Sequence, residues 1–117
     1  MGHSYADLKV WQKAIDLVAD IYRQTKSFPR EGIYGLTSQI RRSAVSVPCN
    51  IAEGQGRLTR GEFKQFPRHA RGSLLELQTQ ITIARKLDFL DKASASSLIE
   101  SSTEIQRMLN GLLESLN

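Results

Sequence analysis

Tyr34-Gly35-Leu36-Thr37-Ser38-Gln39-Ile40-Arg41-Arg42-Ser43-Ala44-Val45-Ser46-Val47-Pro48-Cys49-Asn50-Ile51-Ala52-Glu53-Gly54 is the stretch on which the fold turns. Leu36, Ile40, Ala44, Val47 and Ile51 step by four, four, three and four, the spacing of one face of an α-helix. Pro48 interrupts that pattern. It removes one backbone hydrogen bond and crowds the carbonyl one turn back, at about 3 kcal/mol unless the helix bends. The stretch therefore predicts a helix over 34–55 kinked near Ala44 to Pro48, or two shorter helices meeting there. Gly54 and Gly56 stop it.

The same period extends to either side. Upstream, Leu8, Trp11, Ile15, Val18 and Tyr22 lie on one face of a helix predicted over 7–27, with Asp7 as its N-cap. Phe28-Pro29-Arg30-Glu31-Gly32 breaks it. Downstream, Thr59 and Glu62 have capping-box spacing and open a third helix. Its face is Phe63, Phe66, Ala70, Leu74, Leu77, Ile81 and Ala84, and it runs to about Leu87, where Asp88 ends it in a left-handed turn. Pro67 falls within its first turns. A fourth helix is predicted over 91–116 on Leu98, Ile105, Leu109, Leu112 and Leu116. Ser101-Ser102-Thr103 offers small side chains where a neighbour can pack closely. No stretch alternates with a period of two, so strands are not expected. Four amphipathic segments with short connections predict an all-α, antiparallel up-down-up-down four-helix bundle in one domain over 1–117.

Leu75, Ile83, Ile21, Val45, Phe89 and Leu90 lie beyond these main stripes. Apolar surface wider than one seam often marks a second contact, which predicts a homo-oligomer; the alternative is a broad core face, which needs none. The chain of 117 residues is 40% hydrophobic and 24% charged, with a net charge of +4. No run of 18 apolar residues exists, so no membrane partner is expected. Met1 to Tyr5 lacks the charged and apolar regions of a secretory signal, which predicts a cytoplasmic protein. Cys49 is the sole cysteine, so no internal disulfide can form, and its place in an apolar pattern predicts a small core residue.

The block from Tyr34 to Gly54 resembles the signature of the four-helix-bundle family named after proteins encoded in intervening sequences of bacterial 23S ribosomal RNA genes. Asp7-Leu8-Lys9-Val10-Trp11-Gln12-Lys13-Ala14 resembles the opening of that family. Ala70-Arg71-Gly72-Ser73-Leu74-Leu75-Glu76-Leu77 is similar to its third-helix motif, and Met108-Leu109-Asn110-Gly111-Leu112 to its ending. The resemblance implies an antiparallel bundle that assembles as a homopentamer. It also implies kinship with the accessory protein of diversity-generating retroelements, a basic pentamer that associates with nucleic acid and a reverse transcriptase. Cys49 stands where the family commonly has Ser, and Pro67 where its helix is usually uninterrupted.

Charge placement carries the functional expectation. Arg57, Arg60, Lys64, Arg68 and Arg71 are opposed only by Glu62 between them, and the last four step by four, four and three. A basic stripe on a helix can track phosphates, so these five are the candidate contacts for RNA or DNA. Aromatic residues are not interleaved with them, so binding is expected to follow the backbone rather than the bases. The bland alternative is a solvated helix face, or a basic face that meets an acidic protein partner. Arg41, Arg42, Asn50, Glu53 and Glu76 lie next to core positions and are expected to fix helix packing or assembly, with arginine–carboxylate forks as the favoured geometry.

Nothing in the sequence suggests an enzyme. His3 and His69 are the two histidines, and no HExxH, CxxC or phosphate-binding glycine loop is present. Glu and His at the spacing of di-iron bundles are absent. No catalytic residue, cofactor, metal or small-molecule substrate is expected.

Overall fold

The computed structural model describes residues 5–29, 35–55 and 60–115, and for 60–65 the backbone alone. A single 3-10 turn, Tyr5–Asp7, precedes four helices: α1 Lys9–Thr25, α2 Leu36–Gln55, α3 Arg60–Lys86 and α4 Lys92–Ser115. α1 packs on α2, α2 on α3, α3 on α4, and α4 back on α1, so the helices form a closed ring of neighbours. Side-chain pairs give their directions. Ser43 meets Glu76 while Ser46 meets Ser73, so α2 and α3 run oppositely. Arg71 meets Asn110 and Gln78 meets Gln106, which does the same for α3 and α4. Arg41, early in α2, meets Thr25 at the end of α1. The result is an up-down-up-down bundle about 46 Å long.

The core follows the helical period. Ile40, Ala44, Val47 and Ile51 from α2 are buried, as are Ala70, Leu74, Leu77, Ile81 and Ala84 from α3. At about 25 cal/mol per Å² of apolar surface, each large side chain withdrawn from water contributes about 2 kcal/mol. α2 is one continuous helix through Pro48, which excludes the two-helix alternative, and α3 is likewise continuous through Pro67. Ser102 has no exposed surface, and its hydroxyl is satisfied by the Ile99 carbonyl at 2.8 Å, so α4 approaches its neighbours closely there.

In α1 the buried line is Val10, Ala14, Leu17 and Ile21, not the stripe of larger residues beside it. Ile15 and Tyr22 are exposed, while Leu8, Trp11 and Val18 only border the core. The sequence carries two apolar lines here, and the ring of neighbours buries the one that faces its centre. In α4, Leu113 rather than Leu112 is the buried residue near the end. Asp7 is not at the N-cap position of α1. It lies in the 3-10 turn, and the N-cap position is Leu8, with no side-chain bond. Ile21 and Leu90, which lie beyond the main stripes, are core.

The helix ends close the core. Asp88 has a φ of 63°. Phe89 N–H donates to the Ala84 carbonyl at 2.9 Å and Asp88 N–H to the Arg85 carbonyl at 3.1 Å, the paired bonds of a Schellman cap. That turn delivers Phe89 against Phe28, 5.4 Å between ring centres. Phe28, which ends the first amphipathic run, is itself buried. Asp91 caps α4, its Oδ1 accepting from Ser94 N–H at 2.7 Å. The expected Thr59–Glu62 capping box and Leu116 lie outside the residues whose side chains are described.

Candidate functional site

The first half of α3 carries the basic residues. A helix continuous from residue 60 sets positions 60, 64, 68 and 71 along one flank. Arg57 lies outside the described residues, and the side chains of Arg60 and Lys64 do as well. Arg68 is exposed. Arg71 is half-buried, and one guanidinium nitrogen donates to Asn110 Oδ1 at 2.8 Å across the α3–α4 seam. Arg71 is thus partly committed to holding α4, whereas Arg68 points to solvent. Negative charge gathers elsewhere: Asp16, Asp20 and Glu104 line the α1–α4 seam, where Lys13 Nζ sits 3.0 Å from Glu104. The basic flank and the acidic seam are on different sides of the bundle.

The outer face of α3 changes character at Gly72. Before it the helix carries positions 60 and 64 and the exposed Arg68; after it come Leu75, Thr79 and Ile83, exposed and uncharged, with Glu76 exposed at their α2 edge. Gly72 itself has open space where a Cβ would stand.

Of the polar residues beside the core, Arg41 and Glu76 join helices, with hydroxyl partners in place of arginine–carboxylate forks, whereas Asn50 bonds within α2. Arg41 Nε donates to Thr25 Oγ1 at 2.8 Å, and its guanidinium lies 4.6 Å from the centre of the Tyr22 ring. A cation is thereby held at the C-terminal end of α1, where the helix dipole favours it. Ser43 Oγ donates to Glu76 Oε1 at 2.9 Å, and Gln80 Nε2 approaches the same oxygen at 3.4 Å. Asn50 Nδ2 donates to the Ser46 carbonyl at 2.8 Å, and Ser46 Oγ bonds Ser73 Oγ. These contacts fasten α2 to α1 and α3 at fixed register. Arg42 and Glu53 are exposed.

Cys49 is exposed, contrary to the core position expected for it. The α2 face that buries Val47, Pro48 and Ile51 turns Cys49 outward, into an open apolar groove between α1 and α2. Trp11, Ile15 and Val18 form one wall of this groove and Val45, Pro48 and Ala52 the other. The exposed stripe of α1 therefore belongs to this groove. In the sequence these α1 residues read as the main face of the helix, and nothing local to that segment places them at a seam with α2.

A second cleft, about 420 Å³, lies between the end of α3 and the start of α4, with Ile81, Ala95 and Ile99 below and Arg85, Lys86 and Lys92 at its rim. Among the described residues, no three His, Cys, Asp or Glu side chains gather as a metal site requires. No helix among them is long and apolar enough to cross a membrane.

No curated protein matches the chain. A solved structure from Bacteroides thetaiotaomicron VPI-5482, described as a protein with unknown function from the S23 ribosomal protein family, superposes with a TM-score of 0.81. It covers 89% of this chain and 97% of its own, at 21% identity, and so supports the fold. The family model for the 23S rRNA-intervening sequence protein matches residues 6–111, nearly the whole bundle, and the chain belongs to that family.

Proposed function

We propose that this protein is a non-catalytic helical scaffold that associates with further copies of itself and presents the basic first half of α3 to RNA or DNA. The observation that carries the reading is the run of Arg57, Arg60, Lys64, Arg68 and Arg71 against the single opposing Glu62. Arg68, fully outward on α3, is its clearest member. Arg71, half-held by Asn110, contributes as much to the seam as to the face.

Phosphate neutralisation releases counterions, so the interaction is electrostatic and strongly salt-dependent. Among the residues whose side chains are described, no exposed Phe, Tyr or Trp accompanies Arg68 on its face for base stacking, and Phe66 is half-buried against His69. Contacts therefore go to the backbone, and sequence preference is weak. Self-association is proposed as a homopentamer, on the resemblance of the sequence blocks above and on the exposed apolar surface of α1, α2 and α3. The family's 23S rRNA-intervening description is consistent with a partner of nucleic-acid chemistry and assigns none.

A gel-shift series against duplex DNA, single-stranded DNA and structured RNA, each at low and near-physiological salt, tests the reading. Binding at low salt that weakens steeply as salt rises is expected. No binding to any of the three at low salt overturns it and leaves an acidic protein as the partner of the basic face.

A further inference from the structure

We infer that copies of this chain join head to tail, the outer ridge of α3 in one copy seating in the α1–α2 groove of the next. The inference rests on the self-association proposed above and specifies its contact.

Large apolar side chains exposed on the described surface fall into two patches. Tyr5, Ile15, Tyr22 and Val45 surround the α1–α2 seam; Leu75 and Ile83 lie on α3, and Leu87 just past its end. The first patch is concave, because Trp11 and Val18 recede on one side and Pro48 and Ala52 on the other. The second is convex, the outward line of a single helix. A groove and a ridge are complementary shapes on one molecule.

Their electrostatics match as well. From Ser43 to Ala52 the sequence holds no Asp, Glu, Lys, Arg or His. From Gly72 to Ala84 it holds only Glu76, which is exposed at the α2 edge of the ridge, where one carboxylate oxygen accepts from Ser43. Elsewhere the outer faces of this bundle carry charges freely, and depletion of charge is the compositional mark of an interface core. A highly charged partner finds few counter-charges on either surface, whereas each apolar surface suits the other. Gly72, at the edge of the ridge, has no neighbour in its own chain that requires glycine. Alanine is the better helix former there, and close approach of another copy's backbone gives glycine a reason to be present.

Because the two surfaces differ, the contact is heterologous rather than two-fold. The ridge lies on α3 and the groove on the α1–α2 seam, at an angle around the ring of helices rather than back to back. Repeated contacts therefore curve toward a closed ring, and the basic half of each α3 stays clear of them.

Cys49 supplies the test, since it is the sole cysteine and lines the groove. Thr79→Cys places a second thiol on the ridge, between Leu75 and Ile83. A short bis-maleimide adds across one thiol at each end, with no leaving group. It is expected to give a ladder of covalent multimers in the Thr79→Cys chain and none in wild type or in Cys49→Ser/Thr79→Cys. Wild-type dimers linked through Cys49 alone overturn the inference, because they require a two-fold contact. So does an oligomer by light scattering that yields no ladder, an outcome that leaves self-association standing. Ile83→Glu, at an exposed site, is expected to lower the mass to one 13.1 kDa chain with unchanged helicity. An unchanged mass overturns the inference too, and a wild-type monomer defeats both it and the self-association on which it rests.

Discussion

Asp88 holds a backbone conformation that costs an L-residue about 1 kcal/mol and that glycine adopts freely. Its carboxylate also sits at the C-terminal end of α3, the wrong sign for the helix dipole. The Arg85 contact at 3.2 Å is exposed on both sides and offsets little. Asp88→Gly is therefore expected to stabilise the protein by about 1 kcal/mol, seen as a raised urea midpoint. Asp91 is the opposite case. Bonds from the Ser94 backbone and then its side chain hold its carboxyl below the usual carboxylate range. The folded-state pKa lies below the unfolded one, so the contribution is present at neutral pH and disappears as pH falls through that range. Asp91→Ala is expected to melt lower than wild type at pH 7, with the gap closing at acid pH. A gap independent of pH is evidence against the charged cap. Of these two turns, Asp88 was legible in sequence, because Asp is one of the few residues at ease in the left-handed region. Asp7 and Asp91 look equally suited to capping, and only the geometry of the chain before each helix separates them. The tight turn at Tyr5–Asp7 carries Asp7 past the cap position, and Leu8 occupies it.

At the scale of the element, periodicity located every helix, because each buries residues at steps of three and four. It did not rank two apolar lines on one helix. In α1 the line with Trp11 and Tyr22 has the larger side chains, but the interior accepts the slimmer line of Val10, Ala14, Leu17 and Ile21. Space between α2 and α4 decides this, and a single segment contains no information about its neighbours. The exposure of Cys49 escapes the sequence pattern for the same reason: it lies one position past Pro48, on the outer edge of the same apolar run. Close packing at Ser102, in contrast, follows from the small residues themselves. Ser102→Leu is expected to destabilise by about 1–3 kcal/mol through overpacking, measured by chemical denaturation. Ser102→Ala is expected to be nearly neutral, since its hydroxyl bonds only the preceding turn of its own helix.

Across the whole molecule, the arrangement separates three surfaces: an acidic α1–α4 seam, an apolar α1–α2 groove, and an α3 face that is basic before Gly72 and apolar after it. The fold and the basic run were legible from residue order alone, since both are local in sequence. The groove was not, because it unites α1 and α2 across a seam that only tertiary packing creates. In the proposed function, the basic half of α3 acts through charge while contributing little to stability. Its most direct test is the slope of log K against log salt for binding to structured RNA, compared between wild type and Arg60→Gln/Lys64→Gln/Arg68→Gln. The slope is expected to become shallower by about one for each phosphate left without its cation, with the thermal melt unchanged. An unchanged slope, or a lowered melt with binding intact, contradicts the claim and assigns these residues to the fold.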